Sequence, residues 1–235
     1  MNDLRRWMNA VLPLTTLTES WVSDPLSDPA FRQWFGNSVI RDKDGKPLRV
    51  YHGTHGQFDA FSNRDSSTGM IFFAIEPQFA SGYANTIVGG GGGRVIPCYL
   101  RIEKLYDFRT KRDQDIASNF FSHYHYGHGL PPWCCHQIRV ALYGSADVED
   151  DDNPDVSEDQ ISHEEWMTAI RQGEYPALEC DTFIDWIKRS KYDGMVMIEG
   201  GSVNYAVFSP RQIKSAVSNT GKFNRRSAKL GESDV

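Results

Sequence analysis

The amino-acid sequence predicts a mixed α+β domain, and three observations carry that prediction. Short runs rich in β-branched and aromatic residues, bounded by glycine, proline and aspartate, recur at 48–54, 69–74, 94–102 and 195–208, which is the composition of half-buried strands. Among them stand segments with apolar residues at helical spacing, clearest at 181–190, where Phe183, Ile184, Trp186 and Ile187 define one face. Met195-Val196-Met197-Ile198 is joined to Asn204-Tyr205-Ala206-Val207-Phe208 by a turn at Glu199-Gly200-Gly201-Ser202, a connection tight enough to imply an antiparallel pair.

Taken in order, residues 3–12 place Leu4, Trp7, Met8 and Val11 at helical spacing. Pro13 ends the pattern, and the Thr, Ser, Pro and Asp content of 14–28 reads as a linker. The helix therefore either serves a protein partner or packs on its own domain. Asp28-Pro29-Ala30 has the form of an N-cap with proline at the first helical position, opening a short helix through Phe31, Trp34 and Phe35 that Gly36 closes. The strand at 48–54 is entered from the turn Asp44-Gly45-Lys46-Pro47. A second, apolar strand ends at Phe72-Phe73-Ala74, and Pro77 then starts a helix carrying Phe79, Ala80 and Tyr83, with Phe73 and Phe79 expected in the core. The five glycines at 89–93 read as a mobile surface loop: a phosphate cradle would want a lysine or a following helix, and Arg94 opens a strand instead. Strands follow at 94–102 and 105–108.

Beyond 111 the strand pattern degrades. Helices are expected near 113–123, 133–143 and 164–171, and Glu149-Asp150-Asp151-Asp152 is a solvated loop or, alternatively, a site for a metal or basic partner. This stretch, 111–180, reads as a mainly helical insertion. After the hairpin, Gln212-Ile213-Lys214-Ser215-Ala216 extends it, and 218–235 is a polar, partly basic tail expected to be disordered. The domain layout is an N-terminal helix and linker over 1–30, one domain over 31–223, and a tail over 224–235.

A chain of 235 residues can bury a full core, and one domain with a large insertion fits this length better than two. Its net charge of −6 argues against a surface built for non-specific nucleic-acid binding, although it leaves room for a local basic patch. No apolar run approaches the roughly 20 residues of a membrane span. The N-terminus has Arg5-Arg6 but no continuous apolar stretch of the signal-peptide kind. A cytosolic protein is expected. Cys98, Cys134, Cys135 and Cys180 show no framework spacing, and a bridge between adjacent Cys134 and Cys135 would be strained, so free thiols are expected.

Two constellations carry chemistry. His52-Gly53-Thr54 lies at the exit of a strand. The glycine lets a ligand approach the backbone, and the imidazole and hydroxyl flank it; a plain strand-end turn is the alternative. His123, His125, His128, Cys134, Cys135 and His136 are zinc-ligand types in a short window, but their spacing fits no structural zinc motif, and the neighbouring aromatic residues and prolines suit a packed loop equally well. No metal is assigned.

Further residues connect these segments. Phe31 to Gly36, Gly45-Lys46-Pro47, Tyr51-His52-Gly53-Thr54, Phe72-Phe73-Ala74, Ala80 with Tyr83, Tyr192-Asp193-Gly194, and Phe208-Ser209-Pro210-Arg211-Gln212-Ile213-Lys214-Ser215-Ala216 occur in this order. Together they resemble the ADP-ribosyltransferase domain of phage and prophage polyvalent proteins, which is similar to the poly(ADP-ribose) polymerases and diphtheria toxin. The resemblance covers 31–110 and 181–223 and leaves the helical insertion unmatched.

The resemblance implies two packed, mostly antiparallel sheets around an NAD cleft, with NAD as co-substrate. It also implies transfer of one ADP-ribose to a macromolecular acceptor, protein or nucleic acid, with release of nicotinamide. A phage or prophage origin is implied, as a toxin, effector or injected protein acting in the host cytoplasm or associated with the virion. In this reading His52 bonds the adenosine ribose, Gly53 holds the nicotinamide carboxamide through its backbone with Thr54 beside it, and Tyr83 stacks on nicotinamide. Phe72 stands where the polymerases carry a tyrosine, keeping the aromatic wall and losing a hydroxyl. Asn204 stands where they carry a glutamate. A carboxylate there steadies the oxocarbenium character that builds as the nicotinamide–ribose bond breaks. Asparagine accepts the same hydrogen bond without the charge, at a cost of about 10²–10³ in rate unless Glu199, at the other end of the hairpin, substitutes. Mono-ADP-ribosylating relatives also lack that glutamate, so Asn204 disfavours chain elongation more than single transfer. The alternative is a catalytically degenerate NAD-pocket domain acting as a binding or virion-associated module.

Overall fold

The structure, a computed structural model, describes residues 25–56, 58–64, 66, 68–85, 93–125, 130–144, 160–217 and 223–231. The expected helix at 3–12, the acidic run at 149–152, His128 and most of the glycine run lie outside the described residues.

Helix α1 (Pro29–Phe35) begins as its residues dictate: the Asp28 carboxylate accepts the Ala30 N–H at 2.7 Å and the Phe31 N–H at 3.4 Å, capping two of the free donors of the first turn. Gly36, at φ +54°, ends it. Phe31, Trp34 and Phe35 are buried against Tyr99, Ala216 and Phe223.

Seven strands form the sheet: β1 (Val50–Thr54), β2 (Ile71–Ala74), β3 (Arg94–Leu100), β4 (Leu105–Asp107), β5 (Gly194–Glu199), β6 (Ser202–Val207) and β7 (Ile213–Ser215). Their order is β4-β5-β6-β2-β1-β3-β7, and every neighbouring pair is antiparallel except β4 with β5. The two packed sheets expected above are thus one. A single residue pair, Tyr51 opposite Ala74, joins β1 to β2 and fuses a four-stranded half to a three-stranded half. The β5–β6 hairpin turns on Gly200 and Gly201, at φ +55° and +82°, with Glu199 opposite Ser202. Two successive positive φ values define the turn whose twist matches paired strands.

The remaining helices are α2 (Pro77–Ala84), α3 (Lys111–His125), α4 (Pro132–Tyr143), α5 (His163–Gln172), α6 (Tyr175–Leu178) and α7 (Asp181–Arg189). Helix α5 opens with a reciprocal capping box between Ser162 and Glu165. Helices α3 to α7 supply the larger core, in which Phe120, Trp166, Ile170 and Phe183 pack with Met195 and Met197 of β5. The Trp166 indole donates to the Ala117 carbonyl at 3.0 Å. A second core joins Val50, Ile71, Phe73, Ile96, Leu100 and Val207. All four cysteines are buried, and none is in a disulfide. No helix among the described residues is long and apolar enough to cross a membrane.

Part of the tail expected to be disordered is fixed to the body. The Lys214 ammonium donates to the Ser227 and Lys229 carbonyls at 3.2 and 2.6 Å, and Leu230 bonds through its backbone to Ser215 and Asp59.

Candidate active site

The site begins where β1 and β2 part. Tyr51 faces Pro97 on β3, and Pro97 has no N–H; its carbonyl accepts from Ala216 at 2.8 Å, on the side away from β1. Antiparallel pairs alternate between hydrogen-bonded and non-bonded, so Tyr51 and Gly53 turn their peptide groups away from β3 and toward β2. Tyr51 meets Ala74 there. Gly53, two residues on, has no register partner on β2 and so turns its N–H and C=O into the opening. By the same alternation the Phe72 carbonyl points toward β1, and it accepts the His52 Nδ1–H at 2.8 Å. The imidazole thus takes the place of a ladder amide and holds the two strands apart.

The opening leads into a cleft of ≈ 350 Å³. His52, Gly53, Phe72, Tyr83, Glu199 and Asn204 all line it, so the structure brings together six of the seven residues singled out in the sequence. Thr54 does not line it; its hydroxyl accepts the Gly56 N–H at 3.0 Å and closes the turn after β1. Phe79, expected in the core, is half-buried and lines the cleft beside Tyr83. Phe73 lines the cleft and is also buried in the second core. The reason for glycine at 53 also differs from the expected one. A Cβ there would stand 1.8 Å from the Ala80 carbonyl, so the space a side chain would fill is taken by α2, and only the peptide groups remain for a ligand.

The hairpin delivers the polar end. Asn204 pairs with Ala74 on one side and Met197 on the other, and Glu199, two residues beyond Met197, projects to the same face. The Asn204 Nδ2–H donates to Glu199 Oε2 at 3.0 Å, and the Tyr83 hydroxyl donates to Glu199 Oε1. Asn204 Oδ1 is buried with no partner among the described residues, an acceptor waiting for a donor.

Charges follow from these contacts. Burial lowers the His52 pKa below its ordinary value, against the Phe72 carbonyl, which raises it; the ring is neutral at pH 7, protonated on Nδ1, with its Nε2 lone pair free to accept. Burial, reinforced by Glu199, pushes the Tyr83 hydroxyl up. Glu179, which sequence reasoning missed, also lines the cleft; burial first and the charge of Glu199 second push its pKa up to about 7. It follows the four-residue helix α6, in a stretch without periodicity, so no pattern pointed to it.

The described zinc-type residues do not gather. His123 packs on Trp186 at 5.2 Å, Cys134 and Cys135 are buried in the helical core, and no three His, Cys, Asp or Glu side chains among the described residues are grouped to hold a metal ion.

Comparison with known proteins gives one match, to a family model. No match was found among curated proteins or among solved structures. A family model described as ADP-ribosyltransferase in polyvalent proteins matches residues 42–223, a span that holds both walls of the cleft and runs through the helical segment between them. That match spans more than half of the chain, and the chain belongs to the ADP-ribosyltransferase family of polyvalent proteins.

Proposed function

We propose that the protein is an NAD-dependent mono-ADP-ribosyltransferase that modifies a macromolecular acceptor and releases nicotinamide. The observation that carries this reading is the convergence of the Gly53 peptide, the orphaned Asn204 Oδ1 and the Glu199 carboxylate on one aromatic-walled cleft. Members of the family use NAD as substrate, and the cleft suits it: ≈ 350 Å³ lies at the lower end of the about 300–1,000 Å³ of small-molecule sites, a fit for a nicotinamide riboside half. Gly53 offers a donor and an acceptor to a carboxamide, Phe72 and Tyr83 offer aromatic faces, and the His52 Nε2 accepts from a ribose hydroxyl.

Glu199 answers the departure at Asn204. Its anion is bonded to one end of the Asn204 amide, which polarises the other end, so Oδ1 accepts a ribose 2-hydroxyl while Glu199 supplies the charge behind it. Preorganised negative charge beside a forming oxocarbenium ion is the stabilisation the reaction needs. The absence of a carboxylate at 204 itself favours single transfer over chain growth. A phage or prophage origin, with a role as toxin, effector or injected protein in the host cytoplasm or virion, belongs to this reading, with the helical segment 111–180 as the place where the acceptor is chosen.

Incubation with adenylate-labelled NAD and cell lysate tests it: a labelled macromolecule and free nicotinamide are expected. Glu199→Gln should bind NAD and lose about 10²–10³ in rate. Phe72 and Asn204, standing where the polymerases carry tyrosine and glutamate, favour a second reading, a degenerate pocket that binds without catalysis; it predicts NAD binding with no nicotinamide release by the unaltered protein.

A further inference from the structure

We infer that Glu179 is the base that takes the acceptor's proton, so that the acceptor attacks through a hydroxyl or another neutral group bearing a proton rather than through a carboxylate. The inference rests on the transferase reading above and assigns the second half of the same reaction.

Two carboxylates line the cleft, and their surroundings differ. Glu199 is held by donors on both oxygens, from Tyr83 and Asn204, which commits its carboxylate to positioning those two side chains. The Glu179 carboxylate is half-buried and has no hydrogen bond or ion pair among the described residues. The titratable groups that line the cleft with it are Glu199 on β5, Tyr83 on α2, Tyr175 on α6, and Tyr51 and His52 on β1; none is a cation at neutral pH. A partly buried carboxylate without donors among the described residues, beside a second carboxylate, is held there at a cost. Such a cost persists where chemistry uses it. A base that titrates near neutrality is best matched to its task.

The step balances. The bond between nicotinamide and ribose C1 breaks with its electron pair leaving on nicotinamide, which neutralises the ring. An acceptor lone pair forms the new bond to C1, and the acceptor proton passes to a Glu179 oxygen. An anionic acceptor has no proton to lose and needs no such base.

Hydrolysis of NAD, with water as acceptor, tests this directly in the full chain. Wild-type nicotinamide release should rise as pH passes through about 7. Glu179→Gln should keep NAD affinity, lose about 10²–10⁴ in hydrolysis and lose that pH limb, while any limb from His52 at lower pH stays. Sodium azide, a nucleophile without a proton, should restore nicotinamide release to Glu179→Gln as ADP-ribosyl azide and should not rescue Glu199→Gln. With an active wild type, unchanged hydrolysis by Glu179→Gln, or its loss without azide rescue, overturns the inference alone. A wild type that binds NAD and releases no nicotinamide under these conditions or with cell lysate overturns the transferase reading and this inference with it.

Discussion

At residue scale, the imidazole of His52 stands where a strand amide would stand in an unbroken ladder, its Nδ1–H donated to the Phe72 carbonyl at 2.8 Å. A carbonyl only accepts, so this contact fixes the tautomer and leaves Nε2 as the acceptor toward the cleft. The ring also packs on Phe61 and Phe73, with centroids 4.8 and 5.5 Å away, and this burial holds its pKa below the ordinary value. A histidine with a folded pKa below its unfolded 6.5 is most stabilising above pH 6.5. That contribution is lost as pH falls through the lower folded value, because the unfolded chain takes up the proton first. His52→Ala leaves the Phe72 carbonyl without its donor and should cost about 1–3 kcal/mol in chemical denaturation at pH 7.5. The gap from wild type should narrow below pH 6.5. The same variant should label acceptors poorly with NAD; equal labelling would remove His52 from the substrate site and leave it only as a wedge between strands.

At the scale of elements, the cleft depends on how closely α2 lies on the β1–β3 pair. A Cβ at Gly53 would stand 1.8 Å from the Ala80 carbonyl, and one at Gly93 would stand 1.7 Å from the Ala84 carbonyl. A glycine on β1 and another just before β3 thus let one short helix descend onto the sheet. That helix carries Tyr83 to Glu199. Gly53→Ala must displace backbone rather than a flexible side chain, so it should cost about 1–3 kcal/mol as overpacking. It should also move Tyr83 off Glu199, with loss of labelling larger than the loss of thermal stability alone explains. The helices, strands and hairpin were legible in the sequence because each carries its own periodicity or cap: Asp28 before Pro29, the apolar face of α7, the paired glycines after Glu199. What joins them was not. Side-chain alternation within β1 and β2 says nothing of their mutual register, so it could not replace by one the two sheets that the resemblance implied, nor show that the glycine at 53 makes room for a helix while its peptide groups face the cleft. Helix α6 has four residues, too few for a period to show, and Glu179 stayed hidden behind it.

At the scale of the molecule, the family match spans 42–223, yet the fold is closed by residues on either side of it. Phe31, Trp34 and Phe35 lie before the matched span and are buried on Tyr99 and Ala216, beside the β7 edge that residues 223–231 also cover. Lys214 on β7 is fully buried, and two of its ammonium acceptors are carbonyls of that last segment, Ser227 and Lys229. An ammonium buried among apolar neighbours is tolerable only while such acceptors remain. Deleting 224–235 should therefore destabilise the domain by about 1.5–3 kcal/mol for each bond lost to the charged group, more than the removal of an exposed polar tail would. Putting Lys214→Met into the shortened chain should recover part of that loss, because it removes the charge along with its need for acceptors. A shortened chain that melts where the full chain does would show that the segment only lies along β7; one that loses stability and is not helped by Lys214→Met would place the loss in the backbone bonds of Leu230 to Ser215 and Asp59. Because β7 borders β3, and β3 borders the strand that carries His52 and Gly53, a loosened edge lies two strands from the cleft, and labelling by the shortened chain should fall less than its stability.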